Sequence, residues 1–121
     1  MKNESEGALL RIFVGESDRW HGRPLHEAIV RRARQQGLAG ATVLRGIEGF
    51  GANSRVHTAR ILRLSEDLPV VVEIVDRSEK IEAFLPLLDE MVQEGMITVE
   101  KVRVIAYRHS SQGSGGGEDG P

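Results

Sequence analysis

The chain has 121 residues, no cysteine and a formal net charge of −2 at pH 7. This length fits one domain, the lack of cysteine excludes disulfides and thiolate metal sites, and the near-neutral charge gives no general bias toward nucleic acid. No apolar run approaches the roughly 20 residues that span a bilayer, and no signal peptide is evident, so we expect a cytoplasmic protein that does not insert into membranes.

Both ends of the chain are poor in residues that form a core. Residues 1–7 are polar and residues 110–121 are rich in Gly and Ser, so both segments are predicted to be disordered. Residues 8–109 form the predicted domain. Because the whole chain has one Trp, one Tyr and three Phe, the core of this domain must be mainly aliphatic.

In the first half of the chain, two predicted strands flank a helix. Leu9–Val14 alternates between two faces as a strand does. The helix is predicted over Pro24–Gln36, where apolar residues recur at helical spacing and Pro24 suits the first helical position. Gly37 suits the left-handed residue that ends a helix, and Ala41–Leu44 is predicted as a short strand.

The second half repeats this order with a strand, a helix and a strand. The valine-rich stretch Leu68–Val75 predicts a strand that is buried on both faces. Ile61–Leu64 is interpreted as a shorter strand or as an extension that leads into it. A helix is predicted over Asp76–Met91 and the last strand over Ile97–Tyr107.

The second helix has a recognisable start and an unusual interior. Asp76 and Glu79 have the spacing of a capping box, in which each side chain bonds to a backbone N–H at the helix start. Pro86 lies inside the apolar pattern, so it should remove a helical hydrogen bond and bend the helix.

The predicted order is therefore strand, helix, strand, strand, helix, strand. This order is typical of a ferredoxin-like βαββαβ sandwich of the α+β class, in which both helices cover one face of an antiparallel sheet. The other face stays uncovered, and its valine-rich strands have too few polar residues to face water. We therefore expect the protein to associate with copies of itself.

The stretch between the second strand and the third is the candidate functional region. Gly46, Gly49 and Gly51 fall within six residues, which indicates either a bulge with a loop entry or a backbone that lines a ligand cleft. An acid-free run, residues 52–65, follows and is either a solvated loop or a surface for phosphates or an acidic partner. Its cationic residues are Arg55, His57, Arg60 and Arg63.

Other residues give weaker signals. Arg45 precedes the glycines and is interpreted first as the partner of an acid such as Glu73, and second as a phosphate ligand. His21 and His26 lie five residues apart without a third ligand nearby, so a metal site is not favoured. Trp20 suits packing over a helix start or into a subunit interface better than stacking on a base. Because no nucleophile has a base at a recognisable spacing, we expect no enzymatic activity.

A family resemblance involves the same region. Residues 37–51, GLAGATVLRGIEGFG, resemble the second-strand region of PII signalling proteins, where a Gly-Phe-Gly opens a long loop. Residues 8–107 are similar as a whole to small PII-like proteins, the domain of unknown function 190. The stretches that carry this resemblance are RIFVGE, HGRPLHEAIV, GFGANSRVHTARILRLSEDLPVVVEIVD and FLPLLDEM.

The resemblance implies a ferredoxin-like homotrimer with an effector cleft between subunits. In PII proteins the effector is typically an adenine nucleotide, which here could be AMP, ADP, ATP or a cyclic nucleotide. The implied effector-binding residues are Thr42, Arg45, Gly49, Phe50, Gly51 and Arg55. Residues 52–66 correspond to the loop that PII proteins present to a membrane transporter or an enzyme, and the implied contact residues are His57, Arg60 and Arg63.

The sequence leaves the effector and two alternative functions open. PII proteins follow their second helix with a Gly-Lys-rich phosphate loop, whereas here Gln93–Gly95 leads directly into Met96, so the number of phosphates on the ligand is undetermined. One alternative is a trimeric metal-binding protein of the CutA type, which would use His57 or the pair His21 and His26. The other is an adaptor without a ligand, in which the basic loop docks a protein.

Overall fold

A four-stranded antiparallel sheet with both helices on one face forms the body of the protein. The computed structural model describes residues 5–51 and 67–110. Its strands are β1 (Ser5–Gly15), β2 (Arg19–Trp20), β3 (Arg23–Pro24), β4 (Thr42–Arg45), β5 (Pro69–Asp76) and β6 (Met96–Val104), and its helices are α1 (Leu25–Gln35) and α2 (Ser78–Met91). The strand order in the sheet is β4-β5-β1-β6, and β2 pairs with β3 in a separate hairpin. The ferredoxin-like fold class predicted from the sequence is confirmed.

The core lies between the sheet and the helices and is aliphatic, as the composition predicts. Alternate residues of β1 and β5 point toward the helices because side chains in a strand alternate between faces. They are buried against one apolar side of each helix, where Ile29, Ile81, Phe84 and Leu88 are at most 1% exposed. No helix among the described residues is long and apolar enough to cross a membrane.

The bounds of several elements differ from those predicted. β1 begins at Ser5, so residues 5–7, which the sequence assigns to a disordered tail, belong to the strand. They extend the strand because they pair with β6, from Ser5 opposite Val104 onward. β6 ends at Val104 and not at Tyr107. The predicted strand Ile61–Leu64 lies outside the described residues.

A short hairpin precedes α1 where the sequence suggests only a polar connector. His21 and Gly22 form its turn with φ angles of 49° and 84°, the left-handed values of a two-residue hairpin turn. Pro24 ends the hairpin and α1 begins at Leu25, so the prediction that Pro24 is the first helical residue is wrong by one position. Trp20 is half-buried against the core, which confirms its predicted packing near the helix start.

The capping box predicted for the second helix is wrong. Arg77 occupies the N-cap of α2 and makes no side-chain cap hydrogen bond. Asp76 is still part of β5, opposite Ala8, and its carboxylate accepts hydrogen bonds from the backbone N–H groups of Ala39 and Arg77 at 2.9 and 2.7 Å. The side chain therefore fixes the segment before β4 instead of capping the helix.

The sheet face opposite the helices is not covered by the described chain. Residues that oppose each other in register share a face, so Leu44, Val71, Phe13 and Met96 form one apolar row across all four strands. The next row is polar and consists of Thr42, Glu73, Arg11 and Thr98. We call this surface the open face. Leu44 and Met96, at its two edges, are 47% and 53% exposed.

Gly37 ends α1 as predicted, in the left-handed conformation with φ of 78°. Its N–H bonds to the carbonyl of Arg34 at 3.0 Å, and the N–H of Leu38 bonds to the carbonyl of Ala33 at 3.1 Å. This pair of bonds defines a Schellman motif, in which a glycine avoids the steric cost that other residues have at the left-handed position.

We expect Gly37→Ala to lower the free energy of unfolding by about 1 kcal/mol, because a Cβ is strained at positive φ. Gly40→Ala is the matched control, since Gly40 has no positive φ and a Cβ there meets nothing within 4 Å. That control should be neutral or slightly stabilising. Urea unfolding of both variants measures the difference, and equal stabilities would contradict the assignment.

Candidate functional site

A cleft of about 820 Å³ lies at one end of the sheet. Four segments meet there: the start of β1, the residues before β4, the end of β5 and the residues that follow β6. Because neighbouring strands are antiparallel, the beginning of one strand and the ends of its neighbours come to the same edge of the sheet. The residues that line the cleft include Gly7, Gly40, Thr42, Val75, Asp76 and Tyr107.

Small residues keep this cleft open. Ala39, Gly40 and Ala41 form one wall, and a Cβ on Gly40 would meet no atom within 4 Å. Gly7 is different, because a Cβ there would lie 2.9 Å from the carbonyl oxygen of Asp76. Val75, Val104 and Tyr107 also line the cleft, and Tyr107 is 58% exposed.

The charged groups of the cleft are mostly acidic. Glu6, Glu73, Asp76 and Arg77 line it. Glu73 is neutralised by an ion pair with Arg11, at 3.0 Å from Nε to Oε2. Both carboxylate oxygens of Asp76 are engaged by backbone N–H groups. Arg77 is therefore the one cation of this lining set that could meet a phosphate.

The glycine-rich turn lies at the other end of β4. The N–H of Gly46 donates to the carbonyl of Pro69 at 2.7 Å, which ends the pairing of β4 with β5. Gly49 has φ of 153°, and a Cβ there would lie 3.0 Å from the Pro69 ring. A Cβ on Gly51 would meet nothing within 4 Å. Two apolar side chains project from this turn, since Ile47 is 93% and Phe50 68% exposed.

Arg45 forms an ion pair, as the sequence suggests, but with a different acid. Its guanidinium contacts the carboxylate of Glu16 at 3.0 Å, whereas Glu73 pairs with Arg11. The register explains the difference. Arg45 opposes Val70 and points to the helix side, whereas Glu73 opposes Thr42 and lies on the open face.

The connector after β1 holds both ends of the segment between β4 and β5. Glu16 binds Arg45 through its side chain and the carbonyl of Leu68 through its N–H, at 2.8 Å. The Ser17 hydroxyl donates to Asp67 at 2.7 Å. Sequence reasoning missed Glu16, Ser17 and Asp67, because these partners are separated by 29 and 50 residues and no motif joins them.

The structure separates the residues that the sequence assigns to one effector site. Thr42 lines the cleft, whereas Arg45, Gly49, Phe50 and Gly51 lie at or beyond the other end of β4. At roughly 3.3 Å per residue, the strand alone puts about 10 Å between the two groups. The remaining predicted residues, Arg55, His57, Arg60 and Arg63, lie outside the described residues.

The cleft contains residues that sequence reasoning did not select. Tyr107 and Asp76 line it although they lie in different elements, and Ala39 joins it through its bond to Asp76. The signal that the sequence offers is Tyr107 itself, an aromatic residue at the end of the predicted last strand. Within residues 5–51 and 67–110, no group of three His, Asp or Glu side chains could hold a metal ion. His21 is instead stacked on Trp20, with 4.1 Å between ring centres.

Comparison with known proteins identifies the family. The model of the family DUF190, described as "Uncharacterized ACR", matches residues 7–104. The chain belongs to this family. A UPF0166 protein of Aquifex aeolicus (strain VF5) is 42% identical over 97 residues, which cover 80% of this chain and 91% of the relative. A UPF0166 protein of Methanocaldococcus jannaschii is 36% identical, with coverages of 79% and 89%.

Comparison with solved structures shows that this chain has a PII-like fold. A protein of Thermus thermophilus described as a PII-like signalling protein superposes with a TM-score of 0.61 at 18% identity, covering 85% of this chain and 93% of its own. CPII of Thiomonas intermedia K12, a nitrogen regulatory PII-like protein solved with ADP, AMP and bicarbonate, has a TM-score of 0.55 at 16% identity, with coverages of 84% and 91%. The predicted resemblance to PII-like proteins is thereby confirmed.

We expect Asp76→Ala to destabilise the protein by about 1–2 kcal/mol, because two backbone N–H groups lose a charged acceptor at a partly exposed site. Asp76→Asn keeps one acceptor oxygen and should cost about half as much. Glu82→Ala removes an exposed carboxylate that has no described partner and serves as the control, within about 0.5 kcal/mol of wild type. Chemical denaturation measures these differences, and equal free energies of unfolding for all three variants would contradict the role of Asp76.

Proposed function

We propose that the protein is a PII-like regulatory protein that binds an adenine nucleotide in clefts between copies and presents residues 52–66 to a partner protein. The observation that carries the proposal is the division of the predicted site between the two ends of β4. CPII, which has the same fold, is solved with ADP and AMP, and this supports an adenine nucleotide as the ligand class.

Two copies of the chain can bring together the two groups of site residues that lie apart within one copy. The cleft with Thr42 lies at one end of β4 and the turn with Gly49 and Gly51 at the other, about 10 Å or more apart. In a ring of copies, the turn of one copy can face the cleft of the next, because a head-to-tail contact joins two different surfaces. The exposed side chains of Ile47 and Phe50 then gain an apolar partner.

The chemistry of the cleft suits the nucleoside part of such a ligand. Tyr107 offers an exposed ring for stacking on adenine, and Val75 and Val104 offer apolar contacts. The Thr42 hydroxyl and the carboxylate of Glu6 can bond to ribose hydroxyls. In the proposed site the phosphate faces Arg77 and, from the next copy, the backbone of Gly49 and Gly51 together with Arg45 and Arg55.

A homotrimer is the assembly that we propose for this function. Its subunits contact one another through the open face, where an apolar row crosses all four strands. Leu44 and Met96, at the two edges of this row, are each about half exposed. An uncovered apolar sheet face of this kind is typical of an interaction surface. The proposed partner of residues 52–66 is a membrane transporter or an enzyme, by analogy with PII proteins.

A thermal-shift panel with AMP, ADP, ATP and cyclic AMP, and with GMP, GDP and GTP as controls, tests the nucleotide. A ligand at about 100 times its dissociation constant adds roughly 2.7 kcal/mol to the stability of the folded state. For a chain of 13.3 kDa the midpoint should then rise by several degrees. We expect one or more adenine nucleotides to produce this rise and guanine nucleotides to produce none. If no adenine nucleotide raises the midpoint, the proposed nucleotide binding is refuted.

Complementation between two variants tests whether the site is shared. Ala41→Trp fills the cleft, and Gly51→Val obstructs the turn without strain, since a Cβ at Gly51 has free space. Each variant alone should lose nucleotide binding, measured by calorimetry with the nucleotide found in the panel. After the two are co-expressed, some neighbouring pairs combine an intact cleft with an intact turn, and binding should return. No recovery would place the site within one copy.

The assembly is tested by Leu44→Glu. This change puts a carboxylate into the apolar row of the open face, so the mass measured by light scattering should fall from about three times 13.3 kDa toward that of one chain. Arg23→Glu is the control, because Arg23 is exposed and lies in the β2–β3 hairpin, outside the four-stranded sheet. It should keep the wild-type mass. A wild-type protein that is monomeric would refute the proposed trimer.

A further inference from the structure

The outer faces of the two helices carry opposite charge. The cations of α1 are Arg31, Arg32 and Arg34, against the single acid Glu27. The acids of α2 are Glu79, Glu82, Asp89 and Glu90, against the single cation Lys80. None of these arginines or acids has an ion-pair partner in the described ranges. The helical side of the protein is therefore basic along one helix and acidic along its neighbour.

The outer face of α2 also carries residues that lower the stability of the helix. Asp89 and Glu90 lie in the last turn, where the helix dipole is negative, and no basic residue accompanies them there. Pro86 lies inside the helix, where it removes a backbone hydrogen bond. Pro86 and Ala83 are both exposed and lie three residues apart on the helix, among the acids. Because these features cost helix stability, they indicate contact with something outside the chain.

We propose that the helical side is an interface between two copies of this chain. When two such sides stack with a two-fold axis along the helices between them, α1 of each copy lies over α2 of the other. Basic and acidic faces then meet twice in one contact, as a self-complementary interface requires. A two-fold axis across the helices instead places like charges together.

A second copy fits this surface better than an unrelated acidic protein does. An acidic partner would match α1 but would repel α2, which packs beside it on the same side of the sheet. A second copy matches both helices with residues that the chain already contains. This surface lies opposite the open face, so the inference holds whether or not the proposed trimer and nucleotide site exist.

The size of the surface sets the strength of the contact. At 1.5 Å per residue, α1 and α2 are about 16 and 21 Å long, and two adjacent helices are about 20 Å wide. Their outer surface is then roughly 350–400 Å² per copy, below the roughly 800 Å² per partner of a stable interface. The association should accordingly be weak, favoured by high protein concentration and sensitive to salt.

Salt dependence of the mass is the first measurement. Sedimentation of the full chain at high concentration should give a higher weight-average mass at about 50 mM salt than at about 500 mM, approaching twice the high-salt mass if single copies pair, because salt screens exposed charges. If the trimer also forms, each of its copies presents the same face, and the mass should continue to rise with concentration. The same mass at both salt concentrations overturns the proposal.

Charge reversal identifies the surface. Arg31→Glu with Arg34→Glu makes both helices acidic, and Glu82→Arg with Glu90→Arg makes both basic. Each double variant alone should keep its high-salt mass at low salt, because like faces repel. An equimolar mixture should recover at least about half of the wild-type rise in mass, because each acidic helix then meets a basic one.

The controls make each outcome decisive. All the substituted residues are exposed, so circular dichroism and thermal unfolding should match wild type. Lys101→Glu reverses an exposed charge on β6, outside the helices, and should leave the salt-dependent rise in place. Association that survives in either double variant, or a mixture that shows no recovery, means that another surface is responsible and refutes the proposal.

Discussion

The pairing of β1 with a strand on each side is the constraint on which the rest of the structure depends. β1 is matched residue by residue to β5 from Ala8 to Gly15 and to β6 from Ser5 to Phe13. This double register directs Leu10 and Ile12 into the core and Phe13 to the open face. A slip by one residue would exchange the two faces, so the burial of the core fixes the position of every surface residue on the sheet.

The same register places the candidate site residues at two separate ends of the sheet. At one end β1 begins while β5 and β6 finish, and the gap between them becomes the cleft, held by the two bonds of Asp76. At the other end β1 finishes, and its connector holds Arg45 and Asp67. In the function that we propose, a ligand uses both ends by bridging two copies, so that nucleotide binding and assembly depend on each other.

Polar groups on the open face would add specificity to the proposed assembly. Arg11 and Glu73 form an ion pair in the middle of the face while remaining 38% and 30% exposed. Covering such a pair costs desolvation energy, and the cost is offset only where a neighbouring copy completes its hydrogen bonds. The apolar row beside it favours contact in general, whereas the ion pair favours one particular arrangement. The outer faces of the helices differ, because among the described residues their charged side chains form no ion pair and the two signs lie on different helices.

The sequence by itself determined the order of the four sheet strands and two helices, the aliphatic core, the left-handed glycine at Gly37 and the family. These follow from patterns within a few residues, such as strand alternation and helical spacing, which act before distant parts meet. Only the tertiary structure decided that Arg45 pairs with Glu16, that Asp76 holds Ala39 and that Thr42 lies apart from Gly51. Those relations depend on the register between strands that are distant in sequence, and neither local propensity nor composition encodes that register.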